Sequence, residues 1–185
     1  MPILTALWGK IMSKIKVNQK LIILARTALL SAVAVVLSIL ESFIPDLPFA
    51  LPGMKLGLGN IAVLLAVETC PLPMVLYIAV VRALFALVTR GTTAFFMSFA
   101  GAVLSSLVMY LLAHLKKPNF GCMGIGISGA FSHNVAQLLV SFLIVGEATF
   151  AYIPVVIIFS LLTGALTALV HYFTLPAITK ASIFR

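Results

Sequence analysis

Long apolar runs separated by short clusters of Gly, Pro and charge make up most of the chain. A helix needs about twenty apolar residues to cross the hydrocarbon core of a bilayer, and the runs at 21–43, 71–89, 92–115, 122–145 and 150–173 meet or approach that length. The first stops at Ile44-Pro45-Asp46-Leu47-Pro48, because proline fixes its own backbone angle and disfavours helix before it. The third starts at Pro71 or Pro73. Another run, residues 54–67, is short. At 1.5 Å per residue it covers about two-thirds of a hydrocarbon core, so non-helical backbone buried inside the protein must complete it. The stretch Leu51-Pro52-Gly53-Met54-Lys55-Leu56-Gly57-Leu58-Gly59-Asn60 supplies that backbone. The expectation is an all-α integral membrane protein, a six-transmembrane-helix bundle with a short, broken second helix.

The organisation is one membrane domain over 21–175, preceded by a basic segment, 1–20, and followed by a cytoplasmic tail, 176–185. In the first segment Leu4, Leu7, Trp8, Ile11 and Ile15 share a helical face while Lys10, Lys14 and Lys16 lie elsewhere. That pattern fits a helix lying in the headgroup layer, with a frayed basic tail as the alternative. The apolar run after Lys20 is too long for the core of a cleavable signal peptide and reads as the first span.

Composition removes the soluble alternative. Hydrophobic residues are 63% of the chain and charged ones 9%, against about 25% charged in soluble domains. The net charge of +8 does not point to nucleic acid, because the cations sit at the ends of apolar runs. With the N-terminus inside, the cytoplasmic side holds Lys10, Lys14, Lys16, Lys20, Arg26, Lys116, Lys117, Lys180 and Arg185, and the outer loops hold Lys55 and Arg90. Such a bias places both termini in the cytoplasm of a cell whose plasma membrane the chain spans. Cys70 and Cys122 are too few and too far apart for a disulfide framework or a metal site.

Catalytic chemistry is poorly supplied. The chain has one Asp and three Glu, none spaced as paired metal ligands, and no HExxH, GxSxG or P-loop motif. No enzyme activity, cofactor or metal is expected. Polar groups inside the spans are costly in hydrocarbon and therefore mark function by default. Arg82 lies deep in the third span; His133 and Gln137, four residues apart, share a face of the fifth with Asn134 beside them; Asn60 stands where the short second helix begins. With Lys55 these are the candidate substrate-binding residues, and the cations favour an anionic ligand. The structural alternative pairs Arg82 with Glu41 or Glu147 and uses His133 and Asn134 to bridge neighbouring helices. Small residues also recur at four-residue spacing: Gly101 and Ser105, then Gly124, Ser128 and Ser132, then Ser160, Gly164 and Ala168, and, on the first span, Ala28 and Ala32. Such rows let backbones approach closely, and Ala28 and Ala32 are candidate partner-binding residues.

The stretch Leu51-Pro52-Gly53-Met54-Lys55-Leu56-Gly57-Leu58-Gly59-Asn60-Ile61, after a first span ending Glu41-Ser42-Phe43-Ile44-Pro45, resembles the signature of a bacterial membrane family. That family is labelled heptaprenyl diphosphate synthase component I, or the Gx transporter family, and the similarity runs from about residue 24 to 174. The layout is also similar to the substrate-binding S components of energy-coupling factor (ECF) transporters. This resemblance implies a ligand pocket near the outer face, lidded by the loop between the first two spans. It implies too that the Ala28–Ala32 face docks on an ECF coupling subunit with its ATPases. The two labels differ in what they require. A prenyl-chain synthase needs Asp-rich motifs to hold magnesium against diphosphate, and Asp46 stands alone. The favoured expectation is an S-component-like subunit for a small anionic, vitamin- or isoprenoid-related molecule. The alternative is a non-catalytic membrane accessory protein of polyprenyl diphosphate or quinone biosynthesis.

Overall fold

The computed structural model describes residues 19–43, 57–115 and 120–180. Among them the chain forms six α-helices and one 3-10 helix: α1 Gln19–Ser42, α2 Asn60–Thr69, α3 Leu72–Arg90, α4 Thr92–His114, α5 Cys122–Val145, the 3-10 turn Gly146–Tyr152, and α6 Ile153–Lys180. Lys55, the Lys116-Lys117 loop and most of the basic segment 1–20 lie outside the described residues.

Helix ends fall where the backbone demands them. Pro71 caps α3 in an extended conformation and Pro73 lies in its first turn, where a missing N–H costs nothing. Gly91, at φ +88°, closes α3 and at once opens α4, its N–H bonded to Leu87 O. Gly146, at φ +79°, ends α5 in the same way; both backbones are left-handed and favour glycine. Two differences from expectation concern length. The short helix begins at Asn60 rather than near residue 54, because Gly57 at φ +87° turns the chain just before it. The last helix runs through Pro176 to Lys180, into the segment read as a tail.

Helices α3, α4, α5 and α6 pack in sequence order, while α1 leans on α2 and α3. Helix α2 touches all five of the other α-helices, and Ile61 through Val67 are buried on every side. A helix apolar all round belongs in a core. Its ten residues span about 15 Å, half a hydrocarbon core. Close crossings depend on missing side chains: a Cβ on Gly164 of α6 would run into the Ile127 backbone of α5, and one on Gly126 would stand 2.8 Å from Gly164 O. The row Ser160, Gly164 and Ala168 therefore faces α5, whereas Gly124 has only Phe120 nearby.

Burial is inverted relative to a soluble protein. Val88 (85%), Leu143 (82%) and Phe173 (69%) stand exposed, while Glu41, Asn60, Arg82, His133, Gln137 and His171 are each 7% exposed or less. Four helical stretches among the described residues are long and apolar enough to cross a membrane: Gln19–Ser42, Leu72–Arg90, Thr92–His114 and Cys122–Ile178. The chain is an all-α, multi-pass membrane protein.

Candidate ligand site at one end of the buried helix

The buried face of α3 reads Val75, Ile78, Ala79, Arg82, Ala83 and Ala86, the three- and four-residue spacing of one helical stripe. Arg82 is the one ionised group in it. From there its guanidinium reaches the start of α2, where Nη1 donates to Asn60 Oδ1 at 3.1 Å. Gly59 underlies the guanidinium: a Cβ there would collide with Cζ, Nε and Nη2 together. Gly57, two residues earlier, donates its backbone N–H to Glu41 Oε1 at 2.5 Å. The two glycines of Gly57-Leu58-Gly59-Asn60 thus do separate tasks. Gly57 turns the chain and binds a carboxylate from α1, and Gly59 makes room for a cation from α3.

On α5, Gln137 donates its side-chain amide to His133 Nε2 at 3.1 Å. The ring lies between two glycines, since a Cβ on Gly101 of α4 would stand 2.8 Å from Cε1 and one on Gly57 would stand 3.3 Å from Cδ2. Arg90 Nη2, at the end of α3, donates to Ser98 Oγ of α4 at 3.2 Å.

These groups enclose a cavity walled by Glu41, Arg82, Phe85, Arg90, Ser98, His133 and Gln137, among others. Its free space is about 20 Å³, room for roughly one water molecule. In this conformation the site is nearly shut. The polar atoms beside it are incompletely matched: Arg82 Nε and Asn60 Nδ2 are buried without a hydrogen-bond partner.

Four of the six candidate binding residues therefore gather at the Glu41 end: Asn60, Arg82, His133 and Gln137. Asn134 does not join them. Its Nδ2 donates to Ser160 Oγ on α6 at 2.9 Å, which makes it a bridge between helices. Lys55 lies outside the described residues. The pairing of Arg82 with Glu41 or Glu147 takes another form. His171 and Glu68 form an ion pair at contact distance, while Arg82 bonds the Asn60 amide and shares the cavity wall with Glu41, whose charge acts on it electrostatically. Glu147 is exposed on the 3-10 turn. Sequence reasoning did not assign roles to Ser98 and Gly101; the small-residue row on α4 was the signal available for Gly101.

The opposite end of α2 has its own polar contacts. His171 Nε2 of α6 meets Glu68 Oε1 at 3.1 Å, and Arg26 Nη1 of α1 donates to Thr69 O at 3.3 Å. Ala28 and Ala32 of α1 are exposed. Ala28 lines a groove of about 410 Å³ between α1 and α3, with Leu24, Thr27, Ser31, Met74 and Tyr77.

The chain belongs to the heptaprenyl diphosphate synthase component I family, whose model matches residues 30–174. No curated protein and no solved structure matches it.

Proposed function

We propose that the chain is the membrane-embedded substrate-binding subunit of an ECF-type importer and takes a small anionic, vitamin- or isoprenoid-related molecule at the Glu41 end. The observation that carries this reading is Arg82: a guanidinium 7% exposed inside an apolar bundle, bonded to an amide and facing a cavity. Burying such a group without full pairing is costly, and membrane proteins retain that cost chiefly at sites of function.

In this reading six helices cross or enter the membrane, with α2 as the short one. Both termini are cytoplasmic, because nine of the twelve Lys and Arg residues fall on that side. The Glu41 end then faces out. The sequence carries no nucleotide-binding motif, so transport draws on partner ATPases through a coupling subunit, and the α1–α3 groove with Ala28 is its docking face. A cysteine introduced at position 117 should resist an external, membrane-impermeant thiol reagent; external labelling there would overturn the topology.

The direct test is to purify the protein in mild detergent and identify the molecule that stays bound by mass spectrometry. Arg82→Ala should weaken its binding at least tenfold, the loss of about one charge-assisted hydrogen bond. Undiminished affinity in an unstable variant would make Arg82 a structural group. The family description favours one other reading, a non-catalytic accessory protein of polyprenyl diphosphate synthesis. Co-purification of a soluble prenyl synthase in place of an ATPase module would decide for it.

A further inference from the structure

The groups around the cavity are unmatched in one direction. Three acceptors beside it are in use: Asn60 Oδ1 takes a hydrogen from Arg82, His133 Nε2 takes one from Gln137, and Glu41 Oε1 takes the Gly57 N–H. The buried atoms left over there, Arg82 Nε and Asn60 Nδ2, are donors. What is missing beside them is an acceptor, and next to a guanidinium the strongest acceptor is an oxyanion.

Charge narrows the choice. Among the described residues the cavity wall carries two guanidinium groups, Arg82 and Arg90, and one carboxylate, Glu41. A singly charged anion brings such a site to neutrality, while a multiply charged one leaves uncompensated charge in a low-dielectric interior. No three His, Cys, Asp or Glu side chains come together among the described residues to hold a divalent cation that would offset a diphosphate.

Resting on the reading of this cavity as a ligand site, we propose that it binds a singly charged oxyanion, a carboxylate, on Arg82, and discriminates against diphosphate through Glu41. Glu41 then has two tasks: it accepts the Gly57 N–H and it subtracts one positive charge. Glu41→Gln separates them, because the amide oxygen still accepts while the charge is gone.

The test is thermal unfolding of the full-length protein in detergent with sodium butyrate, phosphate or pyrophosphate at equal ionic strength, followed by circular dichroism. Butyrate should raise the melting temperature of the wild type in a saturable way and phosphate and pyrophosphate should not. In Glu41→Gln the order should reverse, with at least a tenfold gain of phosphate over butyrate in apparent affinity. Arg82→Gln should lose every anion effect. Stabilisation of the wild type by pyrophosphate above butyrate, abolished by Arg82→Gln, overturns the charge assignment and leaves the cavity a ligand site. An unchanged order in a folded Glu41→Gln overturns the role of Glu41. No anion effect on the wild type, together with an Arg82→Gln variant as stable as wild type, means that water serves these donors, and overturns both this proposal and the site beneath it.

Discussion

The two ends of α2 are both held by charged side chains from neighbouring helices, yet they are held differently. At the Glu68 end an imidazole and a carboxylate meet directly at 3.1 Å, and an arginine caps the last carbonyl of the helix, where a cation suits the helix dipole. Glu68 remains a third exposed, so water can replace its partner. At the Glu41 end an arginine meets a neutral amide, glycines leave space for two ring-like side chains, and buried donors remain unmatched beside a cavity; at the Glu68 end the unmatched atom is His171 Nδ1. Helix ends that only need holding can be closed by one pair. The proposed ligand site lies at the second end, next to the cavity.

Substitutions that add or remove one group at each end test that contrast, and the largest effect is expected at Gly59. A methyl group there would displace the Arg82 guanidinium from its seat. Gly59→Ala should destabilise the protein by about 1–3 kcal/mol, as overpacking does, and should abolish ligand binding. Chemical denaturation and binding measured on the same preparation check both. A Gly59→Ala variant of wild-type stability that still binds would show that Arg82 is free to move.

Next in size is His171→Leu at the Glu68 end. It removes one partner of a pair whose other member reaches water, so the cost should be about 1–2 kcal/mol. Ligand affinity should stay within twofold of wild type, since well-separated sites usually behave independently. A tenfold change in affinity would mean that α2 transmits strain from one end to the other, and the two ends could no longer be treated as separate.

Arg82→Met should have a smaller effect on stability and a larger one on function. Met fills similar volume without burying donors, so the melting temperature should hold or rise, as happens when a functional site loses a costly group. Binding should fall at least tenfold. Clear destabilisation would move Arg82 into the same class as His171, a clamp on α2, and the contrast between the two ends would disappear.

Much of this contrast was legible in the sequence, and its limits are physical. Arg82, His133 and Gln137 stood out because ionisable and amide groups are rare in apolar runs, and His133 and Gln137 share a helical face by spacing alone. Asn134 has the same composition signal and a different role, because one residue turns a helix by 100° and points it at Ser160. The glycines were visible as a motif, but what each one makes room for depends on residues far away in sequence: Arg82 lies 23 positions after Gly59, and His133 lies 32 after Gly101. Spacing along one helix can be read from a sequence, whereas a contact between helices requires the packing.

The smallest effect on the isolated protein is expected on α1, outside both ends. Ala28 is exposed and lines the open groove between α1 and α3, so Ala28→Trp adds bulk where the described residues leave space. Substitutions of that kind usually change stability by no more than about 0.5 kcal/mol, and ligand binding at the far end of the bundle should be unaltered. If the groove is a docking face for a partner helix, the same indole fills the space the partner needs, since small residues are what allow backbones to approach in a membrane. Association with a coupling subunit and uptake should then be lost while folding and binding persist. Measuring all three on one variant separates the possibilities. Loss of fold would mean that Ala28 packs inside the bundle, and normal uptake would remove the groove from the transport reading. Loss of uptake alone would assign α1 to the partner and leave the two ends of α2 to ligand and scaffold.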